Sequence, residues 1–294
     1  MSRIVPHLWF DTEAREAAEL YTSLFDNSEI SAVNRLHDTP SGDADLVSFT
    51  LAGQRFMAIS AGPLFRFNPS VSLRVDCATE DEVDALWNRL SDGGQVLMPL
   101  DAYPFSRRYG WLQDRYGLSW QVMHADGREI RQRIVPTLLF VGAMCGRAEE
   151  AIKLYTSVFD ASGLGDILRY GSGEEPDAEG TLKHAAFTLD GMQFAAMDSA
   201  GGHDFTFNEA ISLMVLCDTQ EEIDHYWERL SAVPEAEQCG WLKDLYGLSW
   251  QIAPRGMQQM MEQADEEQMA RVTRAFLSMK KFDLAQLDAA YAGR

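Results

Sequence analysis

Residues 109–122 read YGWLQDRYGLSWQV, and residues 239–252 read CGWLKDLYGLSWQI. Ten of the fourteen positions are identical. The pattern is a strand opened by Trp111, a polar turn at Asp114, Arg115, Tyr116 and Gly117, and a second strand from Leu118 to Met123. Gly117 suits a turn position that needs a positive φ. So faithful a copy within one chain signals duplication, and the period is read before any local element.

Working outward, the repeat runs nearly end to end. IVPHLWF at 4–10 returns as IVPTLLF at 134–140, and YTSLFD at 21–26 as YTSVFD at 155–160. FTLAGQRFMAISAG at 49–62 returns as FTLDGMQFAAMDSAG at 187–201, and residues 65–91 match 205–231. The offset then falls from 140 (87 to 227) to 130 (120 to 250), so copy two loses ten residues late. The loss corresponds to GGQVLMPL at 93–100. The reading is a first domain at 1–125, a linker at 126–133, a second domain at 134–254 and a helical tail at 255–294. The tail has no counterpart after copy one.

Within each copy the order β-α-β-β-β occurs twice. Residues 4–10 read as a strand with Pro6 early in it, and Asp11 or Thr12 is placed to cap the next helix. Ala17, Tyr21, Leu24 and Phe25 fall on one helical face. Strands follow at 29–36, 45–51 and 54–60, with a polar loop at 37–45. The hairpin turn Asp190-Gly191 of copy two is a strong turn signal. The second module opens with a strand at 70–76. Thr79 to Glu82 and Thr219 to Glu222 form capping boxes.

The chain has 294 residues, 46% hydrophobic content and a formal net charge of −20. That is enough apolar material for two domains of ordinary size. The acidic surface excludes nucleic acid and anionic membrane as expected partners, since both need a basic face. It is compatible with a cationic ligand. The four cysteines show no CxxC spacing, and Cys77 and Cys217 read as small buried groups. No signal peptide and no membrane-spanning stretch is read, so a reducing cytoplasm is expected.

The paired βαβββ modules, the P-[HT]-L-x-F opening and the GLSWQ[VI] ending resemble the vicinal oxygen chelate superfamily of glyoxalase I, extradiol dioxygenases and bleomycin-resistance proteins. The closest resemblance is to its PhnB-like branch, often labelled 3-demethylubiquinone-9 3-methyltransferase. The resemblance implies an α+β fold with cup-shaped sheets, helices on the convex side and ligands on the concave side. It also implies four metal-ligand positions per site, usually His, Glu or Gln. Matched residue by residue, those positions fall at Pro6, Ala58, Ser70 and Gln121, and at Pro136, Ala196, Ala210 and Gln251. One amide per site is too few donors for a divalent ion, so no metal and no other cofactor is expected. His7 is expected to face away from the cup.

Strand alternation points Ser60, Ser72, Arg74, Gln121 and Met123 inward in copy one, with Ser70 and Leu8 placed beside them. In copy two it points Asp198, Ser212, Met214 and Gln251 inward. Arg74 suits a carboxylate or phosphate. Gln121 and Gln251 read equally as ligand contacts or as sheet amides bonded to backbone. Trp111, Trp120, Trp241 and Trp250 read as core. His37, His184 and His203 read as surface residues in or beside loops, and no catalytic residue is identified. No Gly-rich turn follows Phe10 or Phe140, so nothing in the sequence supports methyl transfer.

Three function classes follow. The first is a protein that binds an unidentified small molecule without the usual metal. The second is a superfamily enzyme of lyase, isomerase or dioxygenase type, and the third an interaction protein. The copies are expected to pair inside the chain, which leaves assembly into a dimer of whole chains open. Copy one, with its full strand set and Arg74, is expected to hold the working pocket.

Overall fold

The structure, a computed structural model, describes residues 2–39, 42–257, 260 and 263–294. The first module comprises β1 (Ile4–Phe10), α1 (Ala14–Thr22), β2 (Glu29–Thr39), β3 (Gly42–Leu51) and β4 (Gln54–Ser60). The second comprises β5 (Val71–Cys77), α2 (Glu80–Leu90), β6 (Gln95–Tyr103), β7 (Ser106–Gln113) and β8 (Ser119–His124). Copy two repeats this as β9 (Ile134–Val141), α3 (Ala148–Val158), β10 (Gly163–Arg169), β11 (Leu182–Leu189) and β12 (Met192–Ser199). Then come β13 (Ile211–Cys217), α4 (Gln220–Leu230), β14 (Trp241–Lys243) and β15 (Ser249–Pro254). Helices α5 (Glu266–Leu277) and α6 (Leu284–Ala292) form the tail. The fold is α+β, as expected. The loop expected at 37–45 is instead strand to Thr39 and again from Gly42. Residues 40–41 and the side chain of His37 lie outside the described residues.

Two sheets result, and each mixes the copies. Sheet A runs β14-β15-β13-β1-β4-β3-β2, and sheet B runs β10-β11-β12-β9-β5-β8-β7-β6. The seams are antiparallel: β1 pairs β13 (Ile4 opposite Val215), and β5 pairs β9 (Val75 opposite Ile134). The first module of one copy thus joins the second module of the other. The duplication is an intrachain pseudo-dimer, and neither copy closes a cup alone.

The repeated turn is the packing centre of each copy. Asp114 Oδ2 accepts from Tyr21 OH (2.6 Å) and Trp120 Nε1 (2.9 Å), and its Oδ1 from Tyr116 N and Leu118 N. Asp244 repeats this with Tyr155, Trp250, Tyr246 and Leu248. Tyr21, Trp120, Tyr155 and Trp250 are fully buried. The carboxylate ties the module-one helix to the last strand of the same copy. Thr79 and Thr219 cap α2 and α4 as expected, each accepting from an N3 amide, but the returning half of the box is displaced by one residue, with Glu82 and Glu222 accepting from Ala78 N and Asp218 N. For α1 the expected cap fails. Ala14 N at its start donates instead to Ser60 Oγ (3.1 Å), a side chain on β4.

Copy two has no counterpart of β6, as the ten-residue loss implies. The tail takes its place. Cys239 N donates to Met279 O (2.8 Å) and Gly240 N to Lys280 O (2.7 Å), where copy one pairs Tyr109 with Asp101 of β6. The edge of sheet A is therefore covered rather than open to water. Among the described residues no helix is long and apolar enough to cross a membrane.

Candidate functional site

Which strand faces line a cup is fixed by what the opposite faces touch. Phe10 packs edge-on against Phe67 and Tyr116, and Ser60 binds α1. The even-numbered residues of β1 and β4 therefore face the helix. The odd ones, Val5, His7, Trp9, Arg55, Met57 and Ile59, line a cavity of about 630 Å³ in the concave face of sheet A. Copy two contributes Met214, Leu216, Trp241 and Gln251, and the tail adds Arg255, Met257, Phe276 and Phe282. Its size is that of a small-molecule site.

This corrects several expectations. His7 faces the cup, not away from it, because Leu8 and Phe10 take the helix side. Leu8, fully buried in the core, shares that side. Ser60 points to α1. Asp198 likewise turns from the cup: its carboxylate accepts from Gly146 N (2.7 Å) and Ala148 N (3.2 Å) at α3 and from Leu182 N (2.9 Å). Ser70 is engaged through its backbone, its amide donating to Asn68 Oδ1 and its carbonyl accepting from Leu139 N. Trp241 is a cavity wall rather than core. His184 lies within β11, not in a loop, and meets Arg74.

On the central strands of the sheet A cup the polar groups are few, while β2 and β3 add Ser31, Asn34, Ser48 and Thr50. His7 sits opposite Ser212 and beside Met57, and Val5 opposite Met214, which neighbours Gln251. His7 is only 2% exposed, and its Nδ1 has no hydrogen-bond partner. Its ring meets Trp241 edge-on, with centroids 5.5 Å apart. Burial lowers the His7 pKa to about 3, so the imidazole is neutral near pH 7. Gln251 Nε2 donates to Ser212 Oγ (2.8 Å), and no donor among the described residues reaches its Oε1. In copy one Trp111 Nε1 donates to Ser119 Oγ; the matching Ser249 Oγ is buried without a partner.

The cup of sheet B is occupied by its own side chains. Gln121 Nε2 donates to Ser72 Oγ (2.6 Å), and Tyr109 OH donates to Gln121 Oε1 (3.0 Å). Arg74 binds Asp76 through Nε (3.1 Å) and Nη2 (3.0 Å). Its Nη1 lies 3.3 Å from His184 Nε2. Burial and then the Arg74 charge lower His184 to about 4, which leaves a neutral acceptor for the guanidinium. Met123 lies on the same face of β8 as Gln121, level with Asp76. In the repeat, Arg74 corresponds to Met214, Asp76 to Leu216, His184 to Leu46, Tyr109 to Cys239 and Thr137 to His7. Sheet A is apolar where sheet B carries a neutralised charge cluster. Arg74, the expected anion anchor, is already paired.

The superfamily's metal positions can be tested on this geometry. On the inner face of sheet A the four central strands offer His7, Met57, Ser212 and Gln251. Across sheet B they offer Thr137, Ala195, Ser72 and Gln121. One imidazole, one thioether, hydroxyls and amides, without a carboxylate, do not fit a hard divalent ion. Among the described residues no group of three or more His, Cys, Asp or Glu could hold a metal ion.

The chain was compared with known proteins. No curated protein matches it. A PhnB protein from Bacillus cereus, described as a putative 3-demethylubiquinone-9 3-methyltransferase, is 43% identical over 41% of this chain and 98% of its own, with a TM-score of 0.39. A glyoxylase/bleomycin resistance protein/dioxygenase domain from Frankia sp. EAN1pec is 16% identical over 42% of this chain and 91% of its own, at 0.33. Glyoxalase I from Zea mays aligns over 88% of this chain and 96% of its own at a TM-score of 0.52 and 9% identity, a likeness of fold alone. A single family matches twice in tandem, at residues 2–123 and 132–253. With most of its length covered by those two matches and its two sheets built from paired modules, three of them βαβββ and the last short of one strand, the chain belongs to the 3-demethylubiquinone-9 3-methyltransferase family, as a tandem duplicate with a glyoxalase-like fold.

Proposed function

We propose that this protein binds a small molecule in the cup of sheet A, without the superfamily's usual metal. One observation carries the reading: a cavity of about 630 Å³ whose wall includes a buried imidazole with an unpartnered nitrogen. A buried polar atom without a partner is costly, and a ligand group that bonds His7 Nδ1 removes that cost. Gln251 Oε1 offers an acceptor on the same face. The rest of the wall is mostly apolar, so burial of ligand surface supplies the affinity and the polar pair sets orientation. The site departs from the expected one, because the pocket needs module one of copy one and module two of copy two together. The family description names a methyl transfer, but no Gly-rich cofactor turn follows β1 or β9. An enzyme working in the same cup is the second reading, and the unpartnered His7 is what favours it.

The test is a thermal-shift screen of a small-molecule library against the full chain and against Met214→Trp, which fills the cup. Compounds that stabilise the natural chain and not the variant support the reading. Compounds that stabilise both equally bind elsewhere and sink it.

A further inference from the structure

The chain carries 45 acidic residues against 25 Lys and Arg, yet no Asp or Glu among the described residues lines the cup of sheet A. Its two formally charged wall residues are Arg55 and Arg255. Both lie at the end of the cup where β1 and β4 begin and β13 and β15 finish. Arg55 Nη2 reaches Ser2 O (2.9 Å), and Arg255 Nη2 reaches Leu216 O (3.3 Å). Leu216 N in turn donates to Arg3 O (2.9 Å), so the two anchor points adjoin.

The two arginines differ in how far they are already satisfied. Arg255 Nε is shared with Asp218 (2.9 Å). Among the described residues the Arg55 guanidinium makes one hydrogen bond, to the Ser2 carbonyl, and no carboxylate pairs with it. A guanidinium has five N–H donors in a fixed fork. Arg55 therefore keeps most of its donors for something else. Burial and the Arg255 charge both push its pKa down from the ordinary value, as expected for cations held close in a partly dry site. Elsewhere the wall is uncharged and mostly apolar, with Trp9, Met57, Ile59, Met214 and Phe276, and its polar groups, such as His7, Gln251, Asn34 and Ser48, are neutral.

We infer that the cup takes an amphiphilic anion, with a carboxylate or phosphate head held by Arg55 and assisted by Arg255 and an apolar body laid along the sheet. The inference rests on the cup being the binding site and adds the class of ligand. It reverses the preference suggested by the net charge of −20. Local charge decides here, because surface carboxylates more than about 10 Å away are screened by salt, whereas a guanidinium in the wall is not.

Isothermal titration of the full chain with four probes sharing one tail tests this: decanoate, decyl phosphate, decanol and decyltrimethylammonium. The two anions should bind at least about tenfold more tightly than decanol, and the cation most weakly. Which anion binds better identifies the head group. Arg55→Gln should weaken decanoate by about ten- to a hundredfold and leave decanol unchanged, while Arg55→Lys retains part of the affinity. If Arg55→Gln does not fold, the salt dependence decides: affinity for decanoate falls as NaCl rises, and that for decanol does not. Decanol or decyltrimethylammonium binding as tightly as decanoate overturns the anion inference and leaves the cup intact. No binding by any probe, or binding unaltered in Met214→Trp, overturns both.

Discussion

Replacing Asp114 should be among the most damaging single changes in this protein. Its carboxylate accepts four hydrogen bonds, from Tyr21 OH, Trp120 Nε1, Tyr116 N and Leu118 N, at 2.6–3.0 Å. Three of these four partners can only donate. Burial pushes the carboxyl above its ordinary value, and the four donors pull it back. Asp114→Ala leaves Tyr21, Trp120 and Leu118 with buried donors and no acceptor. At about 1–3 kcal/mol per stranded group, with partial relaxation, the loss should be about 4–6 kcal/mol. Asp114→Asn keeps one oxygen for the two backbone amides. Its amide then faces Trp120 Nε1–H, donor against donor, so the loss should be about 1.5–3 kcal/mol. Urea unfolding followed by tryptophan emission measures both. Asp244→Asn should cost about the same as Asp114→Asn, since its four bonds are the same. Equal losses for the Asn and Ala variants, or an Asn variant within about 0.5 kcal/mol of the natural chain, would refute the assignment of four working hydrogen bonds.

Arg74→Met alone should destabilise by about 1–3 kcal/mol, because it strands Asp76 in a partly buried site; adding Asp76→Leu should recover most of that, since sheet A carries Met214 and Leu216 at the matching places. His7 and His184 have pKa values lowered to about 3 and about 4 from 6.5. Their neutral forms stabilise the fold above pH 6.5, and that contribution is lost as pH falls through the interval to 4 and 3. A His7→Phe variant should therefore show a shallower acid limb in urea midpoints between pH 6.5 and 4; an unchanged slope counts against burial of a neutral ring. Gly240 has φ +83°, and a Cβ there would lie 2.4 Å from the Phe282 ring and 2.8 Å from Ile252 O. Gly240→Ala should loosen the tail, read as faster proteolysis between α5 and α6. Elemental analysis of protein purified without chelators should find well under one equivalent of Zn, Ni or Fe; near one per cup, held by strand residues, would overturn the donor-set reasoning.

The repeat, the strand order and the α2 and α4 caps were legible in the sequence because each rests on neighbours in the chain. Alternation in residues 70–76 placed Ser72 and Arg74 on the same face correctly. The same rule failed on β1 because the starting frame, taken from Pro6, was one residue off, and a one-residue slip inverts every side chain. What no local pattern carries is the seam between β1 and β13, whose partners Ile4 and Val215 are far apart in sequence. Without that seam, Arg74 and Gln121 looked like walls of one pocket closed by copy one. The tail reads as helices, and the backbone bonds that the Met279 and Lys280 carbonyls accept from the edge of sheet A carry no sequence signature.

The exchange of modules between the copies has a genetic consequence. A dimer of identical single-copy chains must build two identical cups, so any substitution that suits one is imposed on the other. Fusion of the copies lifts that constraint. Here His7 stands in one cup and Thr137 in the other, and the Arg74–Asp76 pair fills one while Met214 and Leu216 leave its twin apolar. One cup is free to serve stability and the other to acquire a ligand. Each nevertheless still draws half its strands from either copy, so loss of one copy disables both.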